Sequence, residues 1–273
     1  MIVKTIFGFY DNNRNFDKKD FFEILQVFIS FYLLIYRCDF FGFLINYFYS
    51  LVLNKFLINH NNTLDISGLF SYCNSLTTMP DISKWDISSI SSMKDLFCYC
   101  FSLTSLPDIS NWNTSNIINM ESLFEGCIKL THLPDISKWD TSNNKSMRKM
   151  FNNCKALLYL PDISKWNTSN IEDMHSLFGR CKSLSVLPDI LKWDTSKVKD
   201  MSKMFYNCSS LTCLPNILKW NTTNVDKIEE IFAYCYNFSY FIDNFEMEII
   251  IEKNRKDLFF DCINYFGIRK KYM

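Results

Sequence analysis

The sequence predicts an α/β repeat solenoid in coils of 27 residues, each a short strand followed by a short helix. Three observations carry that prediction. Prolines stand at 80, 107, 134, 161, 188 and 215, one interval of 27 apart. Tryptophans keep the same step at Trp85, Trp112, Trp139, Trp166, Trp193 and Trp220, and these two sets hold all six prolines and all six tryptophans of the chain. Cysteine repeats in the same way at Cys73, Cys100, Cys127, Cys154, Cys181, Cys208 and Cys235. A fixed period of this length marks units too small to bury an apolar face alone, which stack to share one core.

Residues 103 to 130 display every column. Ile117, Met120, Leu123, Phe124 and Cys127 follow the i, i+3, i+6, i+7, i+10 spacing of one helical face. Thr114, Ser115 and Asn116 before them offer side-chain oxygens to first-turn amides, and Ser169 three before Glu172 has capping-box spacing. Upstream, Leu106-Pro107-Asp108-Ile109-Ser110 predicts a strand of about three to five residues. Proline is tolerated there only at a strand's start or edge, and the spacing of Leu103, Leu106, Ile109 and Trp112 by threes requires a bend near Pro107. Each buried side chain contributes roughly 1.5–3 kcal/mol while ordering each residue costs about 1–2 kcal/mol, so one coil does not fold alone. Asn144 interrupts the Ile/Val column that holds Ile117 and Ile171, which marks its coil as a weak point.

The period divides the chain into three regions. Residues 63–238 form the solenoid, about six and a half coils. Residues 239–273 close its last coil. Residues 1–62 are hydrophobic and helical in expectation, and two readings of 21–58 stand: helices capping the open end, or a membrane-associated hairpin. The uncharged runs 24–36 and 40–54 are shorter than the roughly 20 residues that span a bilayer. The start carries no early apolar run ending at small residues, as an export signal would, so an intracellular or membrane-attached structural or interaction protein with host or cellular partners stands as the alternative to a surface protein.

Lysine plus arginine equal aspartate plus glutamate at 29 each, so no long-range field draws the chain to nucleic acid. The odd total of 11 cysteines, with seven in one column, reads as small buried reduced thiols rather than a disulfide framework.

Strings such as Leu-Pro-Asp-Ile-Ser-Lys-Trp-Asp-Thr-Ser at 133–142, followed by Met-x-x-Met-Phe-x-x-Cys at 147–154, resemble the BspA-like leucine-rich-repeat surface proteins, including the repeats of mycoplasma surface proteins. The resemblance covers about two thirds of the chain. It implies leucine-rich-repeat-like coils and a role in adhesion or recognition of a protein or other macromolecule, at the cell surface or a membrane. It carries no catalytic residues.

Catalysis, cofactors and bound metal are not expected. His60, His132 and His175 occupy different places in the period, and no four-ligand zinc pattern is complete. Asp81, Asp108, Asp135, Asp162 and Asp189 form a column. It reads as a solvated charge lattice neutralised by Lys84, Lys138, Lys165, Lys192 and Lys219 rather than a calcium ladder. Asn113, Asn167 and Asn221 head triplets of the glycosylation type, which chance and capping explain. A binding face is expected where the repeat varies most. Two before each proline stand Thr78, Ser105, His132, Tyr159, Val186 and Cys213, the candidate recognition strip. Lys145, Arg148, Lys149, Glu172, Asp173 and His175 are the alternative face.

Overall fold

The computed structural model describes residues 66–74, 76–79, 81–212, 220–237 and 260. The chain divides into two compact units, Met1–Leu44 and Ile45–Met273, and every described residue belongs to the second. The boundary expected at 62/63, the 21–58 segment and nearly all of 239–273 lie outside the described residues.

Like residues one coil apart stack directly. Phe70, Phe97, Phe124, Phe151, Phe178, Phe205 and Phe232 form one file of near-parallel rings with centroids 5.6–5.8 Å apart. The tryptophans form a second file, 6.3 Å apart at Trp85–Trp112 and Trp112–Trp139. Both files are buried, with Met93, Leu96 and Cys100 and their equivalents in the central coils at or near zero exposure beside them. The core is therefore a set of columns running through successive coils, a repeat solenoid.

The predicted alternation of strand and helix is not what builds it. Among the described residues there is no α-helix and no extended strand, only isolated bridges, turns and the 3-10 segments Ile163–Lys165 and Ile190–Lys192. The stretch expected as a helix is a chain of overlapping turns. Leu96 N–H donates to the Met93 carbonyl, Cys98 to Asp95 and Cys100 to Phe97, each an i to i−3 bond. The amides between them turn outward to the next coil: Met93 donates to Asn119, Asp95 to Glu121, Phe97 to Leu123 and Tyr99 to Glu125, at 2.6–3.0 Å. The same alternation recurs through Met120–Gly126, Met147–Asn153, Met174–Arg180 and Met201–Asn207. An α-helix directs all its amides into itself; here half of them join the coils.

That geometry needs a residue of positive φ in every second turn, the third position of a type II turn. Asp95, Tyr99, Ser122, Lys149, Asn153, Ser176, Arg180, Lys203, Asn207, Glu230 and Tyr234 all lie at φ of 53 to 62°. A left-handed backbone costs a non-glycine residue roughly 1–2 kcal/mol, and the cross-coil bonds hold it there. Gly126, at φ 76°, is the one glycine at the second of these sites, and its bare Cα is covered by the Tyr99 ring. A Cβ there would lie 2.4 Å from Tyr99 Cδ1. Gly126→Ala is expected to lower unfolding free energy by about 1–3 kcal/mol, and Tyr99→Ala in the same chain to recover part of the loss in a denaturant titration.

The bridges also fall elsewhere than predicted. They are parallel and join residues 27 apart, Ser92↔Asn119↔Ser146↔Asp173↔Asp200↔Lys227, at the mouth of the turn chain rather than beside proline. Near the expected strand there is one, Thr78↔Ser105. After the proline the chain bends instead of extending, with Ile163 N–H on the Pro161 carbonyl and Ile190 N–H on Pro188, at 2.8 and 2.7 Å.

Side chains tie the coils a second time. In the cysteine column, the thiols of Cys100, Cys127, Cys154, Cys181, Cys208 and Cys235 each donate to the phenylalanine carbonyl of the preceding coil, from Cys100 to Phe70 through Cys235 to Phe205, at 3.0–3.2 Å. The indole N–H of Trp112 donates to Ile82, Trp139 to Ile109, Trp166 to Ile136, Trp193 to Ile163 and Trp220 to Ile190. Thr114, proposed as a helix cap, donates its hydroxyl forward to the Asp140 carbonyl, and Asn116 reaches back to Ser88. Ser169 and Glu172 form no capping box: the serine bonds Asn167 and the glutamate meets Lys199 at 2.6 Å. At the far end the Tyr234 amide donates to Phe260, whose ring packs edge-on against Tyr234.

Candidate interaction face

The strip two residues before each proline is open to solvent. Thr78, His132, Tyr159 and Val186 are exposed and Ser105 half-buried, while Cys213 lies outside the described residues. Leu133 and Leu160 next along the chain are buried and anchor the segment. Tyr159 and Val186 are each 56% exposed, and Leu158 beside them 50%, so adjacent coils present three large apolar side chains together. Leu158 was not among the predicted residues. Its column reads Thr77, Thr104, Thr131, Leu158, Ser185, Thr212, and one aliphatic residue in a file of hydroxyls was the signal available. The side-chain hydrogen bond of the strip is between His132 Nδ1 and Thr131 Oγ1, at 3.0 Å.

The alternative face is built quite differently: Arg148, Lys149, Glu172, Asp173 and His175 are engaged with groups of neighbouring coils, and Lys145 is exposed. Arg148 stands 3.3 Å from Asp173 and 3.9 Å from both Glu121 and Asp200. Lys94 meets Glu121 at 3.0 Å, Glu172 meets Lys199, and His175 Nδ1 lies 2.7 Å from Ser202 Oγ. Glu125, only 4% exposed, is held by the Ser122 and Tyr99 hydroxyls, the Asn152 amide and Lys149. Alternating charge along the columns makes this face an inter-coil clasp. Within it, burial works to raise the Asp200 pKa, but His175 at 3.8 Å and the hydroxyl and amide of Ser202 outweigh it and bring it down to about 2. A carboxylate whose folded pKa is depressed adds stability above its unfolded value near 3.9, lost as pH falls toward 2. Asp200→Asn is expected to flatten the fall in melting temperature between about pH 4 and 2.

The aspartate column is a set of local turns more than a lattice balanced by lysine. Asp81, Asp108, Asp135 and Asp162 each accept the backbone amide two residues on, from Ser83, Ser110, Ser137 and Ser164. Hydrogen bonds from those serines, ahead of any lysine, hold the four carboxyls below their ordinary range. Asp189 pairs with Lys192 at 3.4 Å. Asn113, Asn167 and Asn221 make the same Asx turn, accepting from Ser115, Ser169 and Thr223.

The cysteine columns are chemically quiet. Burial pushes Cys73 up to about 11 and Cys181 to about 12, and raises Cys100, Cys127, Cys154 and Cys208 as well. A thiol so placed is little ionised and a poor nucleophile. Among the described residues no three His, Cys, Asp or Glu side chains converge as a metal site, and none of the helices there is long and apolar enough to cross a membrane.

The repeat that generates these columns matches the family described as "Mycoplasma protein of unknown function, DUF285", over residues 64–183 and again over 158–266. The chain belongs to this family. Its two matches run from the first described coil past Phe260, whose carbonyl takes the last described cross-coil amide. Comparison with curated proteins finds no match. Among solved structures, a leucine-rich repeat protein of T. pallidum (TpLRR) is similar with a TM-score of 0.40 at 18% identity, covering 64% of this chain and 71% of that one. A leucine-rich repeat protein from Bacteroides ovatus ATCC 8483 is similar with a TM-score of 0.26 at 14% identity, covering 63% of this chain and 56% of that one.

Proposed function

We propose that this DUF285 chain is a non-enzymatic scaffold for protein recognition, and that the strip of Thr78, Ser105, His132, Tyr159 and Val186, with Leu158 beside it, is its binding face. The observation that carries the reading is the contrast between two variable surfaces on one rigid frame. Arg148, Lys149, Glu172 and Asp173 are occupied by partners in neighbouring coils, so a ligand would have to break existing pairs. Tyr159, Val186 and Leu158 are presented to solvent; tyrosine is among the residue types that most often anchor protein interfaces, and the two aliphatic neighbours add apolar area that gains from leaving water. The files of phenylalanine and tryptophan fix the spacing of the strip without constraining what it displays.

A photo-crosslinking residue placed at 159 in the full chain tests the assignment in cells, against the same residue at 199. Covalent capture of a protein from 159 and not from 199 is expected, with loss of that capture in a Leu158→Ser, Val186→Ser background. Capture from 199 alone would reject the strip.

A further inference from the structure

The strip carries opposite charge on its two edges. Lys129, Lys155 and Lys182, three or four residues before the strip positions 132, 159 and 186, are exposed along one edge. Asp135 and Asp162, three residues after them, are exposed along the other, Asp108 extends that row by one coil, and Asp189 at its far end is already paired with Lys192. Between the rows stand His132, Leu158, Tyr159 and Val186. Lys138 and Lys165 follow three residues beyond the aspartates, and the Asx turns fix the carboxylates at the nearer position.

Such a surface is complementary to itself in one orientation only. If two copies face each other about a two-fold axis parallel to the coil stack, the lysine row of each lies against the aspartate row of the other. Rotation about the perpendicular in-plane axis would instead bring lysine against lysine. The coil spacing is the same in both copies, so the charges keep register along the whole strip, and Tyr159 meets its own counterpart near the axis. Isologous two-fold contacts of this type are the commonest symmetric assembly of soluble proteins.

Resting on the strip as the binding face, we infer that its partner is a second copy of this chain, docked in parallel through the Leu158–Tyr159–Val186 patch with the lysine and aspartate rows crossed. Only a few coils contribute, which places the contact toward the small end of specific interfaces, so association is concentration-dependent and weakens as salt screens the rows.

Charge reversal tests this with the full chain. Sedimentation equilibrium is expected to show mass rising with concentration from the 32.4 kDa monomer toward twice that value. Reversing one row (Lys129→Asp, Lys155→Asp, Lys182→Asp) or the other (Asp108→Lys, Asp135→Lys, Asp162→Lys) should weaken self-association at least about 10-fold, on the order of 1.4 kcal/mol. An equimolar mixture of the two variants should restore a one-to-one pair. Tyr159→Ser with Val186→Ser, which touches no turn, gives the same loss without altering charge. A wild-type chain that stays monomeric while residue 159 crosslinks a different protein would overturn the second copy as occupant and leave the strip standing. Self-association unmoved by any of these variants, with no capture from 159, would overturn both.

Discussion

Phe151→Ala is expected to lower the free energy of unfolding by about 3–5 kcal/mol, the range for truncating a buried aromatic ring. Phe151 is fully buried between Phe124 at 5.8 Å and Phe178 at 5.7 Å, so its loss opens a cavity in two junctions at once. Neither neighbour can collapse into the space, because each ring is held by a backbone whose amide is already committed to the next coil: Phe124 to Met150 and Phe178 to Met204. The Phe151 carbonyl keeps its bonds from the Cys154 amide and the Cys181 thiol, so the effect isolates the ring. Stability in a stacked array is a sum of coil and junction terms. Weakening two central junctions should therefore also separate the two ends of the stack, and a denaturant titration followed by tryptophan fluorescence should lose its single transition. A loss under about 1 kcal/mol with the transition intact would mean the ring is not in a continuous file.

Asn144→Ile should act in the opposite sense. Asn144 is completely buried, and neither its Oδ1 nor its Nδ2 has a hydrogen-bond partner among the described residues. Its backbone is in the same place as its column neighbours, with the Asn144 amide on Thr141 just as Ile117 bonds Thr114 and Ile171 bonds Thr168, all at 2.9 Å. The column already takes Ile90, Ile117, Ile171 and Val198 at zero exposure, so an isoleucine enters a site of known shape. Removing an unsatisfied buried amide is worth about 1–3 kcal/mol, and the apolar side chain adds burial of its own. A gain of about 2–4 kcal/mol is expected, or roughly 5–15 °C in melting temperature for a unit of this size. Asn144→Val should give most of it. An unchanged or lowered melting temperature in both variants would show that the amide is satisfied or that the coil is wider there than its neighbours.

These two residues show what the sequence reveals and what it conceals. The inward columns were legible because burial depends on the spacing 3, 4 and 7, and Met93, Leu96, Phe97 and Cys100 keep that spacing in a chain of turns as they would in a helix. Where the amides go was not legible. It is set by positive φ at Tyr99, Ser122, Lys149 and Arg180, residue types that give no sign of a left-handed backbone, and only Gly68, Gly126, Asp95, Asn153 and Asn207 are of types that hint at it. The fault in the Ile/Val column at Asn144 was visible as a broken pattern, whereas the roles of Thr114 and Asn116 were not. Both are ordinary helix-cap residues by type, and only the nearness of another coil turns their side chains to its carbonyls. For the strip, the variable column could be read directly, but Leu158 one place earlier became prominent only once its exposure beside Tyr159 and Val186 was seen.

The most direct measurement of the central claim, that successive coils are joined through alternate amides of a turned backbone, is the scalar coupling carried across hydrogen bonds in NMR of the deuterated full chain. The structure predicts couplings from the Phe97 amide nitrogen to the Leu123 carbonyl carbon, from Phe124 to Met150 and from Phe151 to Leu177. Couplings running instead from Phe97 to Met93, Phe124 to Met120 and Phe151 to Met147, the i to i−4 pattern of an α-helix, would contradict it.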